Sequence, residues 1–124
     1  MYTEDVANVL ELGKEIDSVL LCGIETHVCV QATALDLVER GADVHCITDA
    51  CSSRTMVDRY TMLPRVGKLV LSRTALLLCD LQEKFRNQIS HFQAITEVSG
   101  RMLQAARILG MRVVVTEMYP KGTK

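Results

Sequence analysis

Ala75-Leu76-Leu77-Leu78 and Val113-Val114-Val115 are apolar at every position. An extended chain points successive side chains to opposite faces, so both runs present hydrocarbon on two sides at once. Such strands are stable in a parallel sheet covered by helices above and below. Between them the spacing changes from extended to helical. Over 92–109, Ile95, Val98, Met102, Ala105, Ala106 and Leu109 recur at three- and four-residue steps, and Gly110 supplies a stop. Over 27–40 the same stripe is Val30, Ala34, Leu37 and Val38, with Gly41 as the stop. Both stripes read as core faces.

The full pattern predicts helix 4–13, strand 18–22, helix 27–40, strand 43–48, loop 49–55, a short helical piece near 56–61, strand 74–79, helix 92–109 and strand 112–117. Strands alternate with helices, so the expected class is α/β: a Rossmann-like open parallel sheet of about four strands in a three-layer αβα arrangement. Ser18–Cys22 and Thr74–Cys79 look alike, but the residues after each strand differ, so no internal repeat is read.

Composition narrows the function. A chain of 124 residues, 48% hydrophobic and carrying net charge -1, holds one core and is expected to form a single domain. Acidic and basic residues are interleaved, which gives no footprint for a nucleic-acid partner. The five cysteines are odd in number, and Cys22, Cys46 and Cys79 lie in strand-like runs, so they do not read as a disulfide framework. A reducing compartment is expected, the cytoplasm first, with a mitochondrial location left open. The acidic start Met1-Tyr2-Thr3-Glu4-Asp5 shows no targeting segment, and no apolar run approaches the ~20 residues of a membrane span, so no membrane partner is expected.

The chemistry concentrates near Gly23-Ile24-Glu25-Thr26-His27-Val28-Cys29. With Thr26 as N-cap, Cys29 falls in the first turn of a helix that opens at a strand end, where unpaired N–H groups favour a thiolate and lower the thiol pKa. Read alone, Cys29 is more readily a small buried hydrophobe. In open parallel sheets ligands bind beyond the carboxyl ends of the strands. That rule brings Cys29, Asp49, Asp80, Gln82, Glu117 and Lys121 to one edge. Asp80 follows directly on an apolar run and is placed to orient or deprotonate Cys29, although strand-end aspartates also cap the next turn. His27 is expected to face solvent. His27, His45 and His91 have no metal-ligand spacing, and neither G-x-G-x-x-G nor G-x-x-x-x-G-K-[ST] is present. No metal and no cofactor are expected.

Residues 19–54, from Val19-Leu20-Leu21-Cys22-Gly23 through Asp49-Ala50-Cys51-Ser52-Ser53-Arg54, resemble the C-terminal part of isochorismatase-like hydrolases, most closely the animal isochorismatase domain-containing branch. Residues 72–122, with Leu78-Cys79-Asp80-Leu81-Gln82-Glu83-Lys84-Phe85-Arg86 and Thr116-Glu117-Met118-Tyr119-Pro120-Lys121-Gly122, resemble the N-terminal part of the same proteins. The resemblance implies a catalytic aspartate, lysine and cysteine, with Asp80 as the base and Cys29 as the nucleophile. It also implies a cis peptide at Ile24-Glu25 and an oxyanion hole formed by the N–H groups of Glu25 and Cys29.

By the same resemblance the order of parts is reversed: 1–61 matches the family's C-terminal part and 62–124 its N-terminal part, with Met62–Lys68 resembling a fresh N-terminus. The segment carrying the family's lysine is expected between the two chain ends, where it is missing, and Lys124 is the one possible substitute. The resemblance implies the strand order 43–48, 18–22, 74–79, 112–117, with both outer strands bare. Two functions are expected in turn. One is hydrolysis of a small-molecule substrate through a cysteine adduct, impaired by loss of the lysine segment. The other is a non-catalytic α/β binding module that forms a homo-oligomer through its sheet edges.

Overall fold

The computed structural model describes residues 3–59 and 69–118. Its elements are α1 (Glu4–Leu10), β1 (Ser18–Ile24), a π-helical turn Thr26–Val30, α2 (Gln31–Glu39), β2 (Asp43–Ser52), α3 (Met56–Arg59), β3 (Thr74–Cys79), α4 (Phe92–Ile108) and β4 (Arg112–Thr116). The four strands form one sheet in the order β2-β1-β3-β4, every neighbouring pair parallel. This is the expected α/β class and the expected strand order. The end of the anticipated helical piece 56–61, the stretch Met62–Lys68, Lys121 and Lys124 lie outside the described residues.

The layers follow from strand alternation. Val19, Leu21, Ala75, Leu77 and Val114 point to one face, where they meet Val6 and Leu10 of α1 and Val30, Ala34 and Leu37. Leu20, Cys22, Leu76 and Leu78 point to the other, against Val98, Met102 and Ala106 of α4. β1 and β3 are buried along their whole length because each lies between two strands and two helical layers. Leu109, expected in the α4 stripe, sits beyond the last turn and is exposed. Among the described residues, no helix is long and apolar enough to cross a membrane.

The two central strands come from opposite ends of the chain. Ser18 to Gly23 pair in register with Thr74 to Cys79. Gly23 faces Cys79, and a β-carbon on Gly23 would lie 2.6 Å from the Cys79 β-carbon and closer still to its carbonyl oxygen. Only glycine permits that approach. Polar contacts add to the junction: Arg73 forms a two-pronged pair with Asp17, and Arg112 reaches the α1 carbonyls of Val9 and Leu10 and the carboxylate of Glu15.

Two strands run past their expected ends. β1 continues through Gly23 and Ile24, and β2 continues to Ser52 after a register shift opposite Leu21 to Gly23. Asp49 therefore lies inside β2, exposed, and not at a strand end.

Candidate active site

The cleft lies beyond the carboxyl ends of β1 and β3. It has a volume of about 320 Å³ and is lined by Ile24, Glu25, His27, Val28 and Cys29 from the β1 side, by Arg54 and Asp58 after β2, and by Asp80, Phe85 and Met118 from the β3 and β4 ends. Of the residues expected at this edge, Cys29, Asp80 and Glu25 are brought together. Gln82 serves the cleft indirectly, its side-chain oxygen accepting the Met118 N–H at 3.0 Å. Glu117 is exposed and does not line it.

The loop that presents Cys29 differs from the expected one. Thr26 does not cap the helix; Glu25 occupies the N-cap position in a left-handed conformation (φ 54, ψ 60) and makes no side-chain cap. The reversal happens one residue early because Ile24 still belongs to β1. Thr26 then opens a π turn, its carbonyl accepting the Gln31 N–H, and its hydroxyl is buried without a partner. π turns are rare and concentrate at functional sites. The Ile24-Glu25 peptide is not cis, since no cis peptide occurs among the described residues, and the left-handed Glu25 makes the turn instead.

Cys29 is 4% exposed and lines the cleft together with Asp80. Its pKa is raised, not lowered as the helix start alone suggested. Burial is the largest cause, followed by the Asp80 charge and hydrogen bond, with a smaller contribution from Glu25. In the resting site Cys29 is therefore a neutral thiol next to a carboxylate, the arrangement of a nucleophile awaiting its base.

Asp80 is 6% exposed and sits one residue past β3 in a left-handed conformation (φ 54), which aspartate tolerates better than most residues. Its side chain does not cap the next turn; its backbone carbonyl accepts the Gln82 N–H at 2.8 Å, while Oδ1 accepts the Thr116 hydroxyl at 3.2 Å. Outside this pair the rim is charged. Glu25 is bonded by Arg54 at 2.9 Å and lies 3.8 Å from His27. His27, expected to face solvent, lines the cleft with Nδ1 3.2 Å from the Ser53 hydroxyl.

Arg54, Asp58, Phe85 and Met118 were not assigned roles from the sequence. Arg54, Phe85 and Met118 fall within recognisable family motifs, which was the available signal; Asp58 carried none. Among the described residues, no lysine lines the cleft.

The family model of the isochorismatase domain matches residues 1–70 and 74–124 of this chain. Isochorismatase domain-containing protein 2 of Homo sapiens is 51% identical over 89 residues, which are 69% of this chain and 43% of that protein. Isochorismatase domain-containing protein 2A of Mus musculus is 43% identical over 89 residues, covering 69% of this chain and 43% of that protein. Isochorismatase domain-containing protein 1 of Danio rerio is 42% identical over 87 residues, 68% of this chain and 31% of that protein. The matches thus span less than half the length of these relatives. No solved structure matches. With a four-stranded parallel α/β sheet and both segments matched by one family model, the chain belongs to the isochorismatase domain family.

Proposed function

We propose that this chain is a hydrolase domain acting on a small molecule, an amide or a related compound, with Cys29 as nucleophile and Asp80 as general base. The observation that carries the reading is that Cys29 and the buried Asp80 carboxylate line one cleft, close enough for the Asp80 charge to raise the thiol pKa. Because the thiol is held neutral, it needs a base as it attacks. Sulfur bonds to the substrate carbonyl carbon while its proton passes to Asp80. The oxyanion is stabilised by the N–H groups of Glu25 and Cys29, both at the cleft wall. Collapse breaks the bond to the leaving group, which takes the proton from Asp80 and departs, leaving a thioester. Water then gives a proton to Asp80 and adds to the thioester; the acid departs and Cys29 recovers its proton.

No step in this scheme uses a cofactor. For the third family residue the candidate substitute is Lys124, outside the described residues. The reversed order remains part of the reading, with 1–61 standing for the family's C-terminal part and 62–124 for its N-terminal part. The five free cysteines favour a reducing compartment, the cytoplasm.

An activated ester such as p-nitrophenyl acetate tests the chemistry directly. Acetyl transfer should be found by peptide mass spectrometry on Cys29, and it should fall by about a hundredfold or more in Asp80→Asn, the low end of what a general base contributes. Acetylation spread evenly over the five cysteines, or unchanged in Asp80→Asn, rejects the enzymatic reading.

A second reading is favoured by one observation: β4 is an outer strand, and Val115 on it is 58% exposed. As a binding module the chain would form a homo-oligomer through this edge. Light scattering should then give more than one chain mass, reverting to one in Val115→Lys; a monomer at all concentrations sinks it.

A further inference from the structure

Thr116 ends β4 and meets Asp80 through both its backbone and its side chain. Its carbonyl accepts the Asp80 N–H at 3.0 Å, and its hydroxyl donates to Asp80 Oδ1 at 3.2 Å. The β3–β4 register pairs Thr116 with Cys79, so Asp80 is the first residue beyond the ladder. Nothing in the sheet fixes its side chain there. The left-handed backbone at Asp80 leaves the carboxylate orientation to its hydrogen-bond partners.

The hydroxyl has one proton to give. The neighbouring Cys79 thiol, pushed up to about 11 by burial, stays neutral, and a neutral sulfur is a weak acceptor beside a carboxylate oxygen. The Thr116 proton is therefore committed to Asp80. A carboxylate fixed at one oxygen presents its remaining lone pairs in a set direction, and Asp80 lines the same cleft as Cys29.

We infer that Thr116 is a positioning residue of the proposed reaction: its hydroxyl holds the Asp80 carboxylate in the orientation that receives the Cys29 proton. The inference rests on the Cys29–Asp80 reading above. Thr116 is not itself a lining residue of the cleft and its hydroxyl is bonded to Asp80, so it acts through Asp80.

The test follows the alkylation rate of Cys29 with iodoacetamide upward from pH 6, over the range in which circular dichroism shows the full chain folded, read by peptide mass spectrometry. Removing the Asp80 charge in Asp80→Asn should lower the apparent pKa of Cys29. Thr116→Val keeps the β-branched shape and loses the hydroxyl; it should shift the profile the same way, by about half a pH unit or more. Thr116→Ser should superimpose on the parent, and Thr116→Val should add nothing in the Asp80→Asn background. Thr116→Ala serves as the second hydroxyl-free variant if Thr116→Val proves unfolded by circular dichroism.

A parent-like profile in the hydroxyl-free variant, or the same shift with and without the Asp80 charge, overturns the role of Thr116 and leaves the Cys29–Asp80 pair standing. A parent-like profile in Asp80→Asn itself rejects the pair, and this inference with it.

Discussion

Gly23 sits directly opposite Cys79 in the β1–β3 ladder, with no room for a side chain between them. The collision in Gly23→Ala is with backbone as well as side chain, so β1 and β3 would have to separate where Cys29 and Asp80 emerge. We expect a loss of about 1–3 kcal/mol, typical of an overpacked core, together with slower acetylation of Cys29. Urea titration gives the first quantity and mass spectrometry the second. An unchanged midpoint would show that the strands can part at no cost.

Alkaline pH should unfold this protein through its thiols. Burial pushes Cys46 and Cys51 up to about 12 and Cys79 up to about 11, and it raises Cys22 as well. In the unfolded chain the same thiols ionise at about pH 8.5. The raised native values mean that the folded state binds more protons once pH passes the unfolded value. Stability is therefore fully present below about pH 8 and falls as pH rises toward the native values, by about 1.4 kcal/mol per pH unit for each thiol. Urea midpoints at pH 8 and pH 10 should differ in that sense, and less so in Cys46→Ala. A midpoint that stays level would contradict the burial of these groups.

How much of the fold is legible in the sequence varies with the element. Strand 74–79 is placed to the residue because Ala75 to Leu78 are apolar on both faces and Thr74 and Asp80 bracket them. The far end of β2 is not, because Asp49 and Ser52 look like loop residues in sequence, and a sheet ladder holds the chain extended through Ser52. Cys29 and Asp80 are visible as residues, but their electrostatics are not. The helix-start argument considers local dipoles only, whereas burial of Cys29 in the folded chain outweighs them. The Glu25–Arg54 ion pair depends on how two loops end up in space, which no spacing rule conveys.

Ser52, fully buried, clasps two loops at the edge of the cleft. Its hydroxyl donates to the Ser90 carbonyl at 2.6 Å, the Ser90 N–H donates to the Ser53 carbonyl at 3.0 Å, and the Ser90 hydroxyl donates to the Arg54 carbonyl at 2.8 Å. Ser52→Ala leaves a carbonyl without its donor and should cost about 1–2 kcal/mol. Faster amide exchange at 52–54 and at Ser90 should accompany it; exchange as slow as in the parent would show that the clasp is dispensable.

Arg112 joins β4 to the end of α1 through the Val9 carbonyl at 2.8 Å and the Leu10 carbonyl at 3.4 Å, carbonyls that a helix end leaves unpaired. In Arg112→Met, α1 should fray, with a loss of about 1–2 kcal/mol. Its amides should exchange faster while those of β3 stay protected. Equal loosening of α1 and β3 would mean that the helix is not a separately held unit.

β1 and β3 lie side by side although the chain reaches them from two separately matched segments, and each segment contributes one of the two facing groups, Cys29 or Asp80. The proposed chemistry would then work as a coincidence detector. Neither segment holds both Cys29 and Asp80, so a molecule whose halves have not found each other is silent toward an acyl probe. In such a chain, turnover would certify assembly as directly as any spectroscopic signal.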